Sequence, residues 1–91
     1  MRRVRVVVSG RVQGVGYRYT MRMVAREFGA SGWVRNLRDG RVEAEVEGTP
    51  DQIDDVLAWM AEGPPGGQVD RAEVTDIAPT GDAGFEVRRD R

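Results

Sequence analysis

Val4, Val6 and Val8 fall on one face of an alternating run, with Arg5, Val7 and Ser9 on the other. Because Val7 is apolar as well, the pattern predicts a strand buried on both faces and central in its sheet. The alternation stops at Gly10, passes through a short stretch containing Gly14 and Gly16, and gives way to a different period. Tyr17, Met21, Val24, Ala25 and Phe28 recur at helical spacing, and Arg22, Arg26 and Glu27 lie opposite. Gly29 is placed to cap that helix. Ser31 to Leu37 then reads as a second strand that ends at the turn signal Arg38-Asp39-Gly40. Val42, Ala44 and Val46 alternate with Arg41, Glu43, Glu45 and Glu47, which predicts a third strand with one core face and one acidic face in water. The second and third strands form a hairpin.

Several signals agree on a second helix: Thr49 as N-cap, Pro50 at its first position and Gln52 placed for a capping box. Its apolar stripe is Ile53, Val56, Leu57 and Met60, and Gly63-Pro64-Pro65 ends it. Trp59 lies off the stripe and is expected at its edge, partly exposed. Val69 to Ile77 alternates weakly, with Ala72 and Val74 on one face, and reads as a fourth strand. Pro79 to Gly84 is a turn, and Phe85-Glu86-Val87 a short last strand near an edge. The order strand, helix, strand, strand, helix, strand predicts an α+β fold. It is the split βαβ arrangement of a ferredoxin-like sandwich, an antiparallel sheet with both helices on one face. No linker or repeat divides the chain, so residues 1–91 are expected to form a single domain. That fold serves enzymes, metabolite sensors and RNA binders, so it does not choose a function.

Composition narrows the chemistry. The chain has no cysteine and no histidine, and all 14 of its basic residues are arginine. Disulfides, thiolate metal sites, a cysteine nucleophile, the usual imidazole base and a lysine amine are thereby excluded. A biased genome accounts for such absences, and the chemical consequence is the same. A net charge of -1 with interspersed signs argues against a broad nucleic-acid footprint. The arginines at 2, 3, 5 and 11 and at 88, 89 and 91 read as solvated ends. The sequence has no apolar run of about 18 residues and no signal-peptide pattern, and the expectation is a soluble cytoplasmic protein.

The stretch from Gly10 to Arg18 joins a strand to a helix start. A loop of this kind can turn consecutive backbone N–H groups into one concavity, to which the helix adds its unpaired first amides and positive dipole end. That is a cradle for a small anion, with Arg18 at its exit able to grip two phosphate oxygens. The same glycines serve equally as the hinges of an ordinary tight turn, and both readings stand on these residues alone. Neither the G-x-x-x-x-G-K-[ST] loop nor the dinucleotide fingerprint is present.

Residues 10–18, Gly-Arg-Val-Gln-Gly-Val-Gly-Tyr-Arg, and residues 32–36, Gly-Trp-Val-Arg-Asn, together resemble the two signatures of the acylphosphatase family. The resemblance extends over nearly the whole chain, through Asp39-Gly40, Glu47-Gly48, Gly63-Pro64 and Phe85-Glu86-Val87. Tyr17 stands where the family often has Phe, and Ala30-Ser31 replaces a more apolar pair. The resemblance implies hydrolysis of the mixed anhydride of a carboxylic acid and phosphate, with no cofactor, metal or covalent intermediate. It implies that Arg18 and the main-chain amides of Gln13, Gly14, Val15, Gly16, Tyr17 and Arg18 bind the phosphoryl group, and that Asn36 holds the attacking water. Asn36 taken alone reads as a strand-end residue before a turn. The implied partners are a small acyl phosphate and the product inorganic phosphate, with no nucleic acid or membrane, and a monomer.

Few groups suffice for that reaction. The leaving carboxylate has a conjugate acid of pKa about 4 and departs at neutral pH without a proton donor. Phosphoryl transfer asks mainly for positioning and charge stabilisation. No general base is evident, and a phosphate oxygen can take the water's proton. Three alternatives are a non-catalytic phosphate- or metabolite-binding module with the same cradle, an RNA-binding domain, and a carbamoyl-phosphate-directed domain of a larger maturation protein. The second is disfavoured by Glu43, Glu45 and Glu47, where an RNA-binding sheet needs aromatics within a basic surface.

Overall fold

The computed structural model describes residues 1–91. In chain order the elements are β1 (Arg2–Arg11), α1 (Tyr17–Phe28), β2 (Ser31–Asn36), β3 (Val42–Gly48), α2 (Pro50–Glu62), β4 (Gln68–Ile77) and β5 (Phe85–Val87). The strands form one sheet in the order β4-β1-β3-β2-β5. This is the α+β ferredoxin-like arrangement expected from the element order, with β1 inside the sheet as its doubly apolar pattern requires. One correction concerns β5, which pairs parallel to β2, Gly32 opposite Phe85 and Val34 opposite Val87, so the sheet is mixed rather than antiparallel throughout.

Alternation decides which side chains meet the helices. Val4, Val6 and Val8 of β1, Val34 of β2, Val42, Ala44 and Val46 of β3, and Phe85 of β5 are fully buried. They pack with Tyr17, Met21 and Ala25 of α1 and Ile53, Val56 and Met60 of α2 in one core. Each of the larger side chains, Val, Ile, Met or Phe, contributes about 1.5–3 kcal/mol through burial. Some residues of the apolar patterns lie outside this core, Ala72 among them. Phe28, in the last turn of α1, is 40% exposed, and Val74 on the edge strand β4 is 48% exposed, because at both places the covering layer has ended.

Local chemistry sets the helix ends. Thr49 Oγ1 accepts from the Gln52 amide at 3.2 Å while Gln52 Oε1 accepts from the Thr49 amide at 2.9 Å, the reciprocal capping box expected for α2. Gly29 closes α1 in a left-handed conformation, its N–H donating to the Arg26 carbonyl at 3.2 Å. Tyr17 buries its ring in the core and donates its hydroxyl to the Met60 carbonyl at 2.8 Å. Trp59 packs against that ring at 5.0 Å between centroids, partly buried at the edge of the α2 stripe as expected.

The sheet face away from the helices departs from expectation. Glu43, Glu45 and Glu47 do not form a solvated acidic face, and Arg3 is not a solvated end: Arg3 is 2% exposed, Glu43 and Glu47 each 5%. The register explains this, because β3 lies between two strands that carry arginines. Arg3 stands opposite Glu47 on β1, and Arg35 opposite Glu43 on β2. Arg3 donates to Glu45 at 2.8 Å, Glu47 at 3.2 Å and Asp82 at 2.9 Å. Arg5 and Arg35 reach the two oxygens of Glu43 at 2.8 and 2.7 Å. The Thr80 and Gly81 amides close over Glu47 at 2.7 and 3.0 Å. The guanidinium groups of Arg35 and Arg88 both lie over the Trp33 indole, 4.6 and 4.8 Å from its ring centroid. This face is a network of paired charges in which Arg3, Glu43 and Glu47 are buried while Arg5 and Asp82 keep contact with solvent. Burial would raise the Glu43 carboxyl, but the Arg35 and Arg5 donors outweigh it and hold the pKa below the usual range. Glu47 is likewise held low, first by the Thr80 amide, which with Arg3 and the Gly81 amide overcomes the cost of burial.

Candidate active site

After β1 the chain turns through residues 12–16 into α1. Gly14 and Gly16 have φ of +74° and +77°, and a Cβ at Gly14 would meet nothing within 4 Å, so the left-handed backbone itself selects glycine there. Gly16 is the N-cap of α1 and supplies no side-chain cap. The first helical bond runs from the Thr20 amide to the Gly16 carbonyl at 3.0 Å. No main-chain amide from Gln13 to Tyr19 donates to an acceptor within the protein. Seven consecutive donors, at the positive end of a helix dipole, are thus free for an anion.

Two side chains expected at the site come from different elements. Arg18, in the first turn of α1, has its side chain 27% exposed, and its Nη1 lies 3.1 Å from Asp90 Oδ1. Asn36 ends β2, is 8% exposed, and its side-chain Oδ1 is buried without a hydrogen-bond partner. A buried carboxamide oxygen left unpaired costs stability. Gln13 joins the two halves, its Nε2 donating to the Leu37 carbonyl at 2.7 Å and the Arg41 carbonyl at 2.9 Å.

The C-terminal segment contributes what sequence reasoning missed. Beyond β5 the chain continues beside β2: the Arg88 amide donates to the Val34 carbonyl at 2.8 Å, the Arg91 amide to the Asn36 carbonyl at 2.8 Å, and the Arg38 amide to the Arg91 carbonyl at 2.6 Å. Residues 90 and 91 therefore touch both halves of the site, the Arg18 side chain and the Asn36 main chain. Asp90 carried no signal, since one carboxylate among terminal arginines looks like any solvated end. The Gln13 side chain was equally hidden behind the role implied for its amide.

The site's donors are guanidinium, carboxamide and main-chain amides. Tyr17 adds only its amide, because burial pushes its phenol well above the ordinary value and its hydroxyl is bonded to Met60. No group of three or more acidic side chains is arranged to hold a metal ion. A shallow polar cavity of about 110 Å³, lined by Gly32, Asp82, Ala83, Glu86 and Arg88, lies by the β5 edge and is separate from the loop.

The family model described as acylphosphatase matches residues 4–87. The chain belongs to the acylphosphatase family. A protein named acylphosphatase from Anaeromyxobacter dehalogenans is 52% identical over 87 residues, covering 94% of each chain. The crystal structure of acylphosphatase from Bacillus subtilis superposes with a TM-score of 0.94 at 36% identity, over 97% of this chain and 99% of that one. The crystal structure of HypF from T. kodakarensis contains a similar unit, TM-score 0.84 at 33% identity, spanning 97% of this chain but 12% of the larger one. Acylphosphatase membership thus rests on sequence and on fold together, and both cover the loop and the end of β2.

Proposed function

We propose that this protein hydrolyses the carboxyl–phosphate anhydride of small acyl phosphates to a carboxylate and inorganic phosphate. The observation that carries the reading is the run of unspent amides from Gln13 to Tyr19, placed with Arg18 and with a buried, unpaired Asn36 Oδ1 at one end of the sheet. In this reading the loop amides and Arg18 hold the equatorial phosphoryl oxygens, whose charge they stabilise throughout the transfer. The Asn36 carboxamide holds the water by a hydrogen bond and aims its oxygen in line with the scissile bond. The water oxygen bonds to phosphorus, the phosphorus–oxygen bond to the acyl group breaks with its electron pair leaving on the carboxylate, and the water's proton passes to a phosphate oxygen. With a leaving-group pKa of about 4, no acid is required.

The proposal retains a monomer acting in the cytoplasm on a small molecule rather than on nucleic acid. Its test is phosphate release from benzoyl phosphate, with and without chelator. Turnover that survives chelation supports the metal-independent hydrolase. Folded protein that binds phosphate but releases none from benzoyl phosphate would instead make the domain a non-catalytic phosphate-binding module.

A further inference from the structure

Gln13 lies on the loop whose main chain forms the cradle, yet its side chain is spent elsewhere. Both hydrogens of Nε2 are used, on the Leu37 and Arg41 carbonyls. The Arg41 carbonyl also accepts the Leu37 amide at 2.8 Å, the bond that closes the β2–β3 hairpin, and Leu37 directly follows Asn36. One carboxamide therefore ties the segment that carries the phosphate donors to the strand end that carries Asn36.

We propose that Gln13 is a positioning residue whose side chain sets the separation between the phosphate cradle and Asn36, and so governs the rate of attack rather than phosphate affinity. This rests on the acylphosphatase reading above. The loop amides and Arg18 belong to the same stretch of chain as Gln13, so they travel with the phosphate when the clamp is released. Asn36 is on the other side of the clamp. Releasing it moves the water relative to phosphorus while leaving the phosphate's own donors intact. In-line attack is sensitive to such a shift, since a misplacement of about 1 Å costs on the order of 100-fold in rate.

Two substitutions separate this role from general loosening. Gln13→Met keeps length and volume but removes both donors. Gln13→Glu sets a carboxylate against two carbonyl oxygens at neutral pH, and regains one O–H donor when protonated. Steady-state hydrolysis of benzoyl phosphate, with inorganic phosphate as competitive inhibitor, is measured for both variants and the wild type between about pH 5 and 7, above the ordinary glutamate pKa of about 4.3 that the facing carbonyls would raise.

For Gln13→Met, kcat is expected to fall about 10-fold or more while the Ki for phosphate stays within about threefold, a loss well inside the positional range. For Gln13→Glu, the kcat ratio to wild type rises as pH falls. A Gln13→Met kcat within twofold of wild type, or a Ki that rises as much as kcat falls, overturns the proposal. Should Gln13→Met not fold, a Gln13→Glu ratio that stays flat across the pH range overturns it as well. An inactive wild type refutes the acylphosphatase reading itself, whereas an active wild type with an equally active Gln13→Met refutes only the clamp.

Discussion

Arg18 holds Asp90 through a single nitrogen, at 3.1 Å, on a carboxylate whose side chain is 62% exposed. Its other donors remain available to a phosphoryl group, and the carboxylate is a competing anion beside them. An exposed pair of this kind contributes about 0–1 kcal/mol, so Asp90→Asn should lower the Ki of inorganic phosphate by up to about fivefold at low ionic strength. Competitive inhibition in dilute buffer and in high salt checks this, because screening should shrink the difference. Arg18→Ala should lose phosphate binding and turnover together, with kcat/KM down by about 10³-fold or more, and Arg18→Lys should recover little, since a point charge does not reproduce the planar fork. Asn36→Ala should differ in kind. Turnover falls by about 10²-fold or more while phosphate still binds competitively, because only the water has lost its partner. A variant at Asn36 that kept most of its rate would remove that residue from the mechanism.

Among the elements, β3 shows most clearly what a single strand's pattern can and cannot disclose. Its period of two identified the core face, Val42, Ala44 and Val46, without error, and the Thr49 to Gln52 signals placed the start of α2 at the observed residue. The opposite face was misread because a glutamate looks solvated until the residue across the ladder is known. That partner, Arg3 for Glu47, lies 44 positions away. The loop from Thr80 to Asp82 that seals the cluster is a further element whose docking no periodicity encodes. Arg3→Ala is accordingly expected to destabilise the fold by about 3 kcal/mol, the order seen when one member of a buried ion cluster is removed. Urea unfolding monitored at the tryptophans measures it. The KM of the surviving folded enzyme should not change, since Arg3 contacts no part of the site described above.

For the molecule as a whole, the carboxylates in these clusters set the response to acid. Glu43, Glu47 and Asp82 all titrate below their ordinary values when folded: Arg35 and Arg5 donors outweigh burial at Glu43, the Thr80 amide leads at Glu47, and the Thr80 hydroxyl leads, followed by Arg3, at Asp82. A depressed folded pKa gives stability that is complete above the unfolded values, about 3.9 to 4.3, and is lost as pH falls through the lower folded ones. Without histidine, no side chain normally titrates near neutrality. The urea midpoint should therefore stay level from about pH 7 to 5 and decline below about pH 4; a decline already under way at pH 6 would contradict this assignment. The global arrangement was legible because element order and two short motifs are local features of the chain. The parallel pairing of β5, the exposed edge at β4 and the return of residues 88–91 to Asn36 were not, since each depends on contacts between distant segments. The donors that converge at the site have one more chemical consequence. A mixed anhydride is an acylating agent, and thiols, amines and imidazoles are the side chains it modifies most readily. The donors gathered here are guanidinium, carboxamide and peptide N–H, all poor acyl acceptors, so the groups that grip the reactive electrophile are not themselves ready targets for it.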